Sequence, residues 1–237
     1  MNNNSNFSKG FKDGVPIGLG YLSVAFTFGI MAVRGGLSVV QAVLISMTNV
    51  TSAGQLAGLE LMISAAPLFE MALTQLVINL RYALMSLSLS QKMDASMTVP
   101  RRMFFAFCNT DEVFAVASGQ PGTVGISYLT GLMTAPYFGW ALGTLLGAAA
   151  GSLLPELILN ALGVAIYGMF IAIIIPPAKK SRSVRAAVIL AALLACVMRY
   201  TPYLRNISGG FAVILCAVPV SAFCAKMFPL REEVDEQ

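Results

Sequence analysis

The sequence contains no histidine. That removes Ser-His-Asp hydrolysis, histidine-ligated zinc or haem, and imidazole proton relays. Cysteine is sparse too. Cys108, Cys196, Cys216 and Cys224 show no C-x-x-C spacing for a metal or a redox pair, and all four fall in apolar stretches as small hydrophobes. Charge is the third shortage: Asp, Glu, Lys and Arg make up 11% of 237 residues, against about 25% in a soluble domain. With 57% hydrophobic residues, a soluble multidomain enzyme and a disordered chain are both excluded. The composition is that of a polytopic membrane protein. The net charge of +4 sits on loop residues that set topology, and gives no case for nucleic-acid binding. No metal or cofactor is expected.

Residues 1–12 read as a polar N-terminal tail, 13–230 as a single transmembrane domain and 231–237 as an acidic C-terminal tail. Apolar segments run at 15–33, 38–63, 67–89, 103–119, 124–151, 155–177, 184–200 and 207–227, parted by proline, glycine or charge. The first is longer than the apolar core of a signal peptide and has no small-residue cleavage site, so it reads as an uncleaved helix.

Two topologies compete. If all eight segments cross from a cytoplasmic N-terminus, 8 Lys/Arg lie inside and 6 outside, with Arg81 in the membrane. If 38–63 and 103–119 each enter and leave on one face, the split becomes 11 inside and 3 outside. The second obeys the positive-inside rule far better and puts both termini in the cytoplasm. The expected fold is therefore an all-α membrane bundle with about six full spans and two broken, re-entrant segments.

The centres of those two segments agree. One holds Asn49-Val50-Thr51-Ser52-Ala53-Gly54-Gln55, the other Asn109-Thr110-Asp111-Glu112. Both are too polar to face lipid as plain helix, and unwound backbone at membrane depth is tolerated only where protein or water covers it. Interrupted segments at corresponding places in two halves are the pattern of inverted-repeat transporters. An eight-helix bundle with polar kinks is the rival reading.

Glu60, Glu70 and Glu156 lie near segment ends and read as interfacial anchors. Arg81 lies well inside its segment and needs a partner. The alternatives are a structural pair with Asp111 or Glu112, the carboxylate of an amino-acid substrate, or snorkelling to the cytoplasmic face. Asp111 and Glu112 are candidates for proton coupling; a static pair with Arg81, Arg101 or Arg102 is the alternative. Gly14-xxx-Gly18, Gly54-xxx-Gly58 and Gly143-xxx-Gly147-xxx-Gly151 allow close helix approach. Trp140 and several tyrosines read as interfacial belt residues.

Gly14-Val15-Pro16-Ile17-Gly18, then Thr51 to Gln55, Asn79-Leu80-Arg81-Tyr82 and Asp111-Glu112-Val113-Phe114-Ala115 occur in an order that resembles the AzlC family. Its members are large subunits of prokaryotic branched-chain amino-acid exporters. The resemblance spans about residues 10 to 230 and includes residues 128 to 151 with Trp140. Three departures stand out. The family's Phe-Ala-Gly-Ser-Ala-Gln run is Val50 to Gln55 here, its histidine after Asn-Leu-Arg is Tyr82, and its aspartate after a late Leu-Gly pair is replaced by Val164. The resemblance implies ion-driven export of leucine, isoleucine, valine and analogues such as azaleucine, with methionine among the candidates. It also implies a small membrane partner of the AzlD type.

The expected site lies at mid-depth between the two breaks. Asn49, Thr51, Ser52, Gly54, Gln55, Asn79, Arg81 and Asn109 would hold the substrate, with half-helix N–H groups and Arg81 on its carboxylate. Asp111 or Glu112 would take the ammonium group or the coupling proton, and Met85, Phe105 and Phe114 would wrap the side chain. The rival functions are a passive channel lined by the two breaks and a membrane-embedded enzyme, for which no catalytic motif is present.

Overall fold

The structure, a computed structural model, describes residues 6–94, 97–151, 174–204 and 206–228, with residues 155, 157, 168 and 171 besides. Among these residues it is all-α, with one isolated bridge, between Met93 and Val124. The helices are α1 (Phe7–Arg34), α2 (Val39–Thr48), α3 (Ser52–Ile63), α4 (Leu68–Lys92), α5 (Val99–Phe107), α6 (Asp111–Ser118), α7 (Ile126–Ala150), α8 (Arg182–Tyr200) and α9 (Gly209–Met227). Helices α1, α4, α8 and α9 are long and apolar enough to cross a membrane. Helix α7 has the length as well, 25 residues, with glycines, threonines and a proline along it. The expected segment 155–177 lies mostly outside the described residues.

Helix α1 starts at Phe7, earlier than the apolar run suggests. The Asn6 side chain accepts from the Ser8 N–H at 3.1 Å, and Lys9 pairs with Asp13 at 3.1 Å one turn on, so capping and an i,i+4 pair hold turns that hydropathy alone would not. Helix α2 opens on a capping box between Ser38 and Gln41.

The chain divides into two compact units. One is Met1–Leu59 with Ile78–Gly163, the other Glu60–Val77 with Val164–Gln237. In the first, α1 and α7 run parallel and touch backbone to backbone. A Cβ on Gly18 would sit 2.6 Å from the Ala135 carbonyl oxygen, one on Gly139 2.5 Å from that of Gly18, and one on Gly29 2.6 Å from the Ala148 nitrogen. Only glycine permits that approach. The Gly14, Gly18, Gly143 and Gly147 spacing thus serves helix packing, while Gly151 meets chiefly its own helix.

One end of this unit gathers the start of α1, the end of α4 and the start of α7. The Lys92 ammonium donates to the Ser118 carbonyl and that of Lys9 to Gln120 Oε1. The Val124 N–H donates to the Lys92 carbonyl at 2.9 Å, and Arg102 Nε to that of Met97 at 3.0 Å. Both ends of the α5–α6 segment therefore lie at this end. At the other end Phe28, Ala32, Ala42, Leu59 and Ala148 form one buried cluster, which sets the start of α2 and the outer part of α3 beside the ends of α1 and α7. Each broken segment enters and leaves on its own face, as the charge count favoured. Eight crossings would put Lys92 opposite Lys9, yet both reach the 118–120 loop.

In the second unit Glu70 departs from expectation. It is 3% exposed, and one of its oxygens, Oε1, accepts from the Ser208 hydroxyl and, at 3.2 Å, from the Gly210 N–H in the first turn of α9. It is a buried helix cap rather than an interfacial anchor: the free N–H groups of a helix start attract an anion. Glu60 is exposed, and Glu156 lies outside the described residues.

Candidate functional site at the two helix breaks

Both interrupted segments break where their polar residues lie, at 49–51 and 108–110. Each half-helix then starts on a threonine. Thr51 Oγ1 accepts from the Gly54 N–H at 3.3 Å, and Thr110 Oγ1 from the Val113 N–H at 3.4 Å. A cap spends one oxygen lone pair and leaves another available. In both breaks a tyrosine hydroxyl approaches it: Tyr82 on α4 donates to Thr51 Oγ1 at 3.3 Å, and Tyr21 on α1 lies 2.6 Å from Thr110 Oγ1.

The breaks meet around Arg81. Its Nη2 lies 2.8 Å from Asp111 Oδ2 and donates to the Tyr82 hydroxyl at 3.0 Å, with the guanidinium 4.9 Å from the Tyr82 ring centre. An unbroken chain of contacts thus runs from Thr51 through Tyr82 and Arg81 to Asp111. The Arg81 and Asp111 side chains are 48% and 43% exposed, so the pair is open on one side. Of the alternatives for Arg81, the pair with Asp111 is the one formed.

Glu112, one residue on, faces elsewhere and accepts from the Tyr21 hydroxyl. Successive residues of a helix diverge by about 100°, which sends Asp111 to α4 and Glu112 to α1. Tyr21 packs edge-on against Trp140, 5.1 Å between ring centres at 74°. Trp140 is 3% exposed and lies mid-way along α7, so it is a core residue and not part of an interfacial belt. Tyr21 is about 20 Å from either end of α1, which sets this group at mid-depth.

Other expected residues lie in the two breaks and on α4. The Asn109 side-chain amide donates to Ser86 Oγ at 3.0 Å, tying the second break to α4. Asn49 ends α2 through its N–H to the Ile45 carbonyl at 2.8 Å. Ser52 opens α3, Gly54 is buried beside its cap, and Asn79 is half-buried on α4. Gln55 departs from the group: its Nε2 donates to Ser46 Oγ at 2.7 Å, which shares a 2.6 Å hydrogen bond with Thr144 on α7. Phe105 departs as well. It is packed in a core with Leu89, Met93, Tyr128 and Leu132, while Phe114 flanks that core and Met85 is half-buried.

Tyr21, Ser46 and Thr144 were not singled out from the sequence; Tyr82 entered only as a departure from the family pattern and Thr110 only as part of the second break, neither as a site residue. For Tyr21 a signal existed: Gly14, Gly18, Tyr21 and Ala25 recur at spacings of four, three and four, so the tyrosine lies on the glycine face of α1. Two buried polar atoms in this region, Asn109 Oδ1 and Trp140 Nε1, have no hydrogen-bond partner among the described residues.

The family model described as AzlC protein matches residues 16–154, more than half of the chain and all of both breaks. The chain belongs to the AzlC family. Among AzlC-like relatives, a protein of Archaeoglobus fulgidus named only as an uncharacterized membrane protein is 35% identical over 77% of this chain and 80% of its own length. The inner membrane protein YgaZ of Escherichia coli K12 is 27% identical over 92% of this chain and 91% of its own. An uncharacterized membrane protein of Helicobacter pylori is 29% identical over 62% of the chain. No solved structure matches. With its apolar helices, this AzlC-family chain is a membrane protein, and a transport role fits it.

Proposed function

We propose that this protein is a secondary transporter that exports branched-chain amino acids (leucine, isoleucine, valine, close analogues and methionine) across a prokaryotic cytoplasmic membrane, driven by an ion gradient. The observation that carries the reading is the Arg81–Asp111 pair, held 2.8 Å apart and half open between two helix breaks at mid-depth. Ionisable groups at that depth are expensive, and mark solute and ion pathways. A zwitterionic amino acid carries the complementary pair of charges: its carboxylate suits the Arg81 fork and its ammonium suits Asp111. Thr51, which reaches Arg81 through Tyr82, and Asn109, two residues before Asp111, are the secondary contacts nearest that pair, with Asn49, Ser52, Gly54 and Asn79 as further candidates from the same two breaks and α4, and among the described residues Asn109 Oδ1 is an acceptor without a partner. The apolar character of the substrate rests on the family resemblance. So does the second component of the proposal, a small AzlD-type membrane subunit.

The test is counterflow of radiolabelled leucine in proteoliposomes, with the chain alone and with a co-expressed small subunit. Saturable exchange suppressed by isoleucine or valine supports the reading. Flux that is non-saturable and indifferent to the trans solute would make the protein a passive channel instead.

A further inference from the structure

Asp111 and Glu112 are adjacent in sequence but are not equivalent. Asp111 faces a guanidinium at 2.8 Å. Among the described residues the ion pairs are Arg81–Asp111 and Lys9–Asp13, and Glu112 enters neither. What Glu112 has is a hydroxyl chain: its Oε2 meets the Tyr21 hydroxyl, and that hydroxyl meets Thr110 Oγ1 at 2.6 Å. With both carboxylates ionised, Arg81, Asp111 and Glu112 carry one negative charge in excess. An unmatched charge at mid-depth is costly, and a single proton removes it.

We infer that Glu112, held by Tyr21, is the group that takes up and releases the coupling proton, while Asp111 is reserved for Arg81 and the substrate. This inference rests on the ion-driven reading above and names the residue that serves it. The chain has one property such a site needs: its Glu112–Tyr21 and Tyr21–Thr110 hydrogen bonds are made in both states, with their direction reversed. With Glu112 ionised, Thr110 donates to Tyr21 and Tyr21 donates to the carboxylate. When a proton adds to Glu112 Oε2, that oxygen becomes the donor, Tyr21 accepts from it and turns its own hydrogen to Thr110 Oγ1. Thr110 Oγ1 still accepts the Val113 N–H on its second lone pair. Only an O–H bond at Glu112 is made on uptake and broken on release, and the cluster passes between one negative charge and none. Arg81 permits no such reversal, since a guanidinium is donor-only and stays charged.

Among the described residues the ionisable group in contact with Glu112 is Tyr21 on α1; Asp111 precedes it on its own helix, paired with Arg81 on α4, whose Nη2 also meets Tyr82, and Tyr137 on α7 packs on the Tyr21–Trp140 cluster. Tyr21 is a positioning residue here: it acts on the proton through Glu112.

The experiment is an infrared pH titration of the purified full chain in nanodiscs, following the carbonyl stretch of a protonated carboxylic acid. Wild-type, Glu112→Gln, Asp111→Asn and Tyr21→Phe proteins are compared in parallel with the leucine exchange assay. The expected result is a titrating acid band that is lost in Glu112→Gln, kept in Asp111→Asn and moved to a different midpoint in Tyr21→Phe. In proteoliposomes, Glu112→Gln loses the response of net leucine flux to a proton gradient. A wild-type protein with no titrating band overturns the inference, as does a band that survives Glu112→Gln or disappears in Asp111→Asn. The band is read without substrate. A Glu112-dependent band with no leucine exchange therefore leaves this inference standing and sinks the proposed substrate.

Discussion

Thr51 and Thr110 lie in different broken segments, yet each caps a half-helix through Oγ1 and each meets a tyrosine hydroxyl from a continuous helix, Tyr82 for one and Tyr21 for the other. Unwound backbone at mid-depth needs its free N–H groups satisfied. A threonine cap does part of that, and the tyrosine fixes the threonine in turn. The two arrangements differ in the partner beyond the tyrosine. In the first that partner is a cation, Arg81, and in the second a carboxylate, Glu112.

The Arg81–Asp111 pair acts as a unit. Arg81→Ala and Asp111→Asn should each weaken leucine exchange strongly, because each leaves a charge or a polar group unmatched. The double substitution should be less harmful than the two effects combined. A double-mutant cycle on apparent affinity should give a coupling of about 0.5–3 kcal/mol. Purely additive effects would mean that substrate does not meet the pair together.

Glycine at the α1–α7 contact is required by space, and this can be separated from helix propensity. A Cβ on Gly147 would collide with the Phe26 backbone, whereas one on Gly20 meets nothing within 4 Å. Gly147→Ala should destabilise the folded protein by about 1–3 kcal/mol or more through overpacking. Gly20→Ala should be neutral or stabilising by up to about 1 kcal/mol. Thermal unfolding in detergent reads both, and equal effects would refute the packing account.

Glu70 should matter for stability because it caps α9. Glu70→Ala leaves the buried Gly210 N–H and the half-buried Ser208 hydroxyl without their acceptor, and should cost about 1–3 kcal/mol. Glu70→Gln retains an acceptor oxygen and should lose less, chiefly the charge–dipole part of about 0.3–1 kcal/mol. Amide exchange in the first turn of α9 locates the effect.

Sidedness is open to labelling. In a cysteine-free background, Lys12→Cys, Arg101→Cys and Thr123→Cys should react with an impermeant maleimide from one face of the membrane and Arg34→Cys from the other. Eight crossings would move Arg101→Cys to the side of Arg34→Cys.

Much of the architecture was legible because the bilayer imposes a simple code. Long apolar runs, loop charges and polar interruptions located both breaks and, apart from the start of α1, the described helices to within a few residues, and the Lys/Arg asymmetry chose the re-entrant topology. Arg81 and Asp111 stood out because charge inside an apolar run is rare. Tyr21 and Trp140 did not, because an aromatic in such a run resembles any lipid-facing or interfacial residue. Glu70 looked interfacial because a carboxylate near a segment end has water within reach unless another helix covers it, and here the start of α9 does.

That this chain is a helical membrane protein, where it interrupts its helices, and which charged residues stand at those interruptions follow from the residues alone, because hydropathy and charge act residue by residue against the bilayer. The pairings emerge from the packed fold. It joined Arg81 to Asp111, turned Glu112 to Tyr21, gave Gln55 to Ser46 and Thr144, and used Glu70 as a cap. Those choices depend on which helix faces lie together, and that is set by backbone contact between the glycines of α1 and α7, a property of two distant segments jointly.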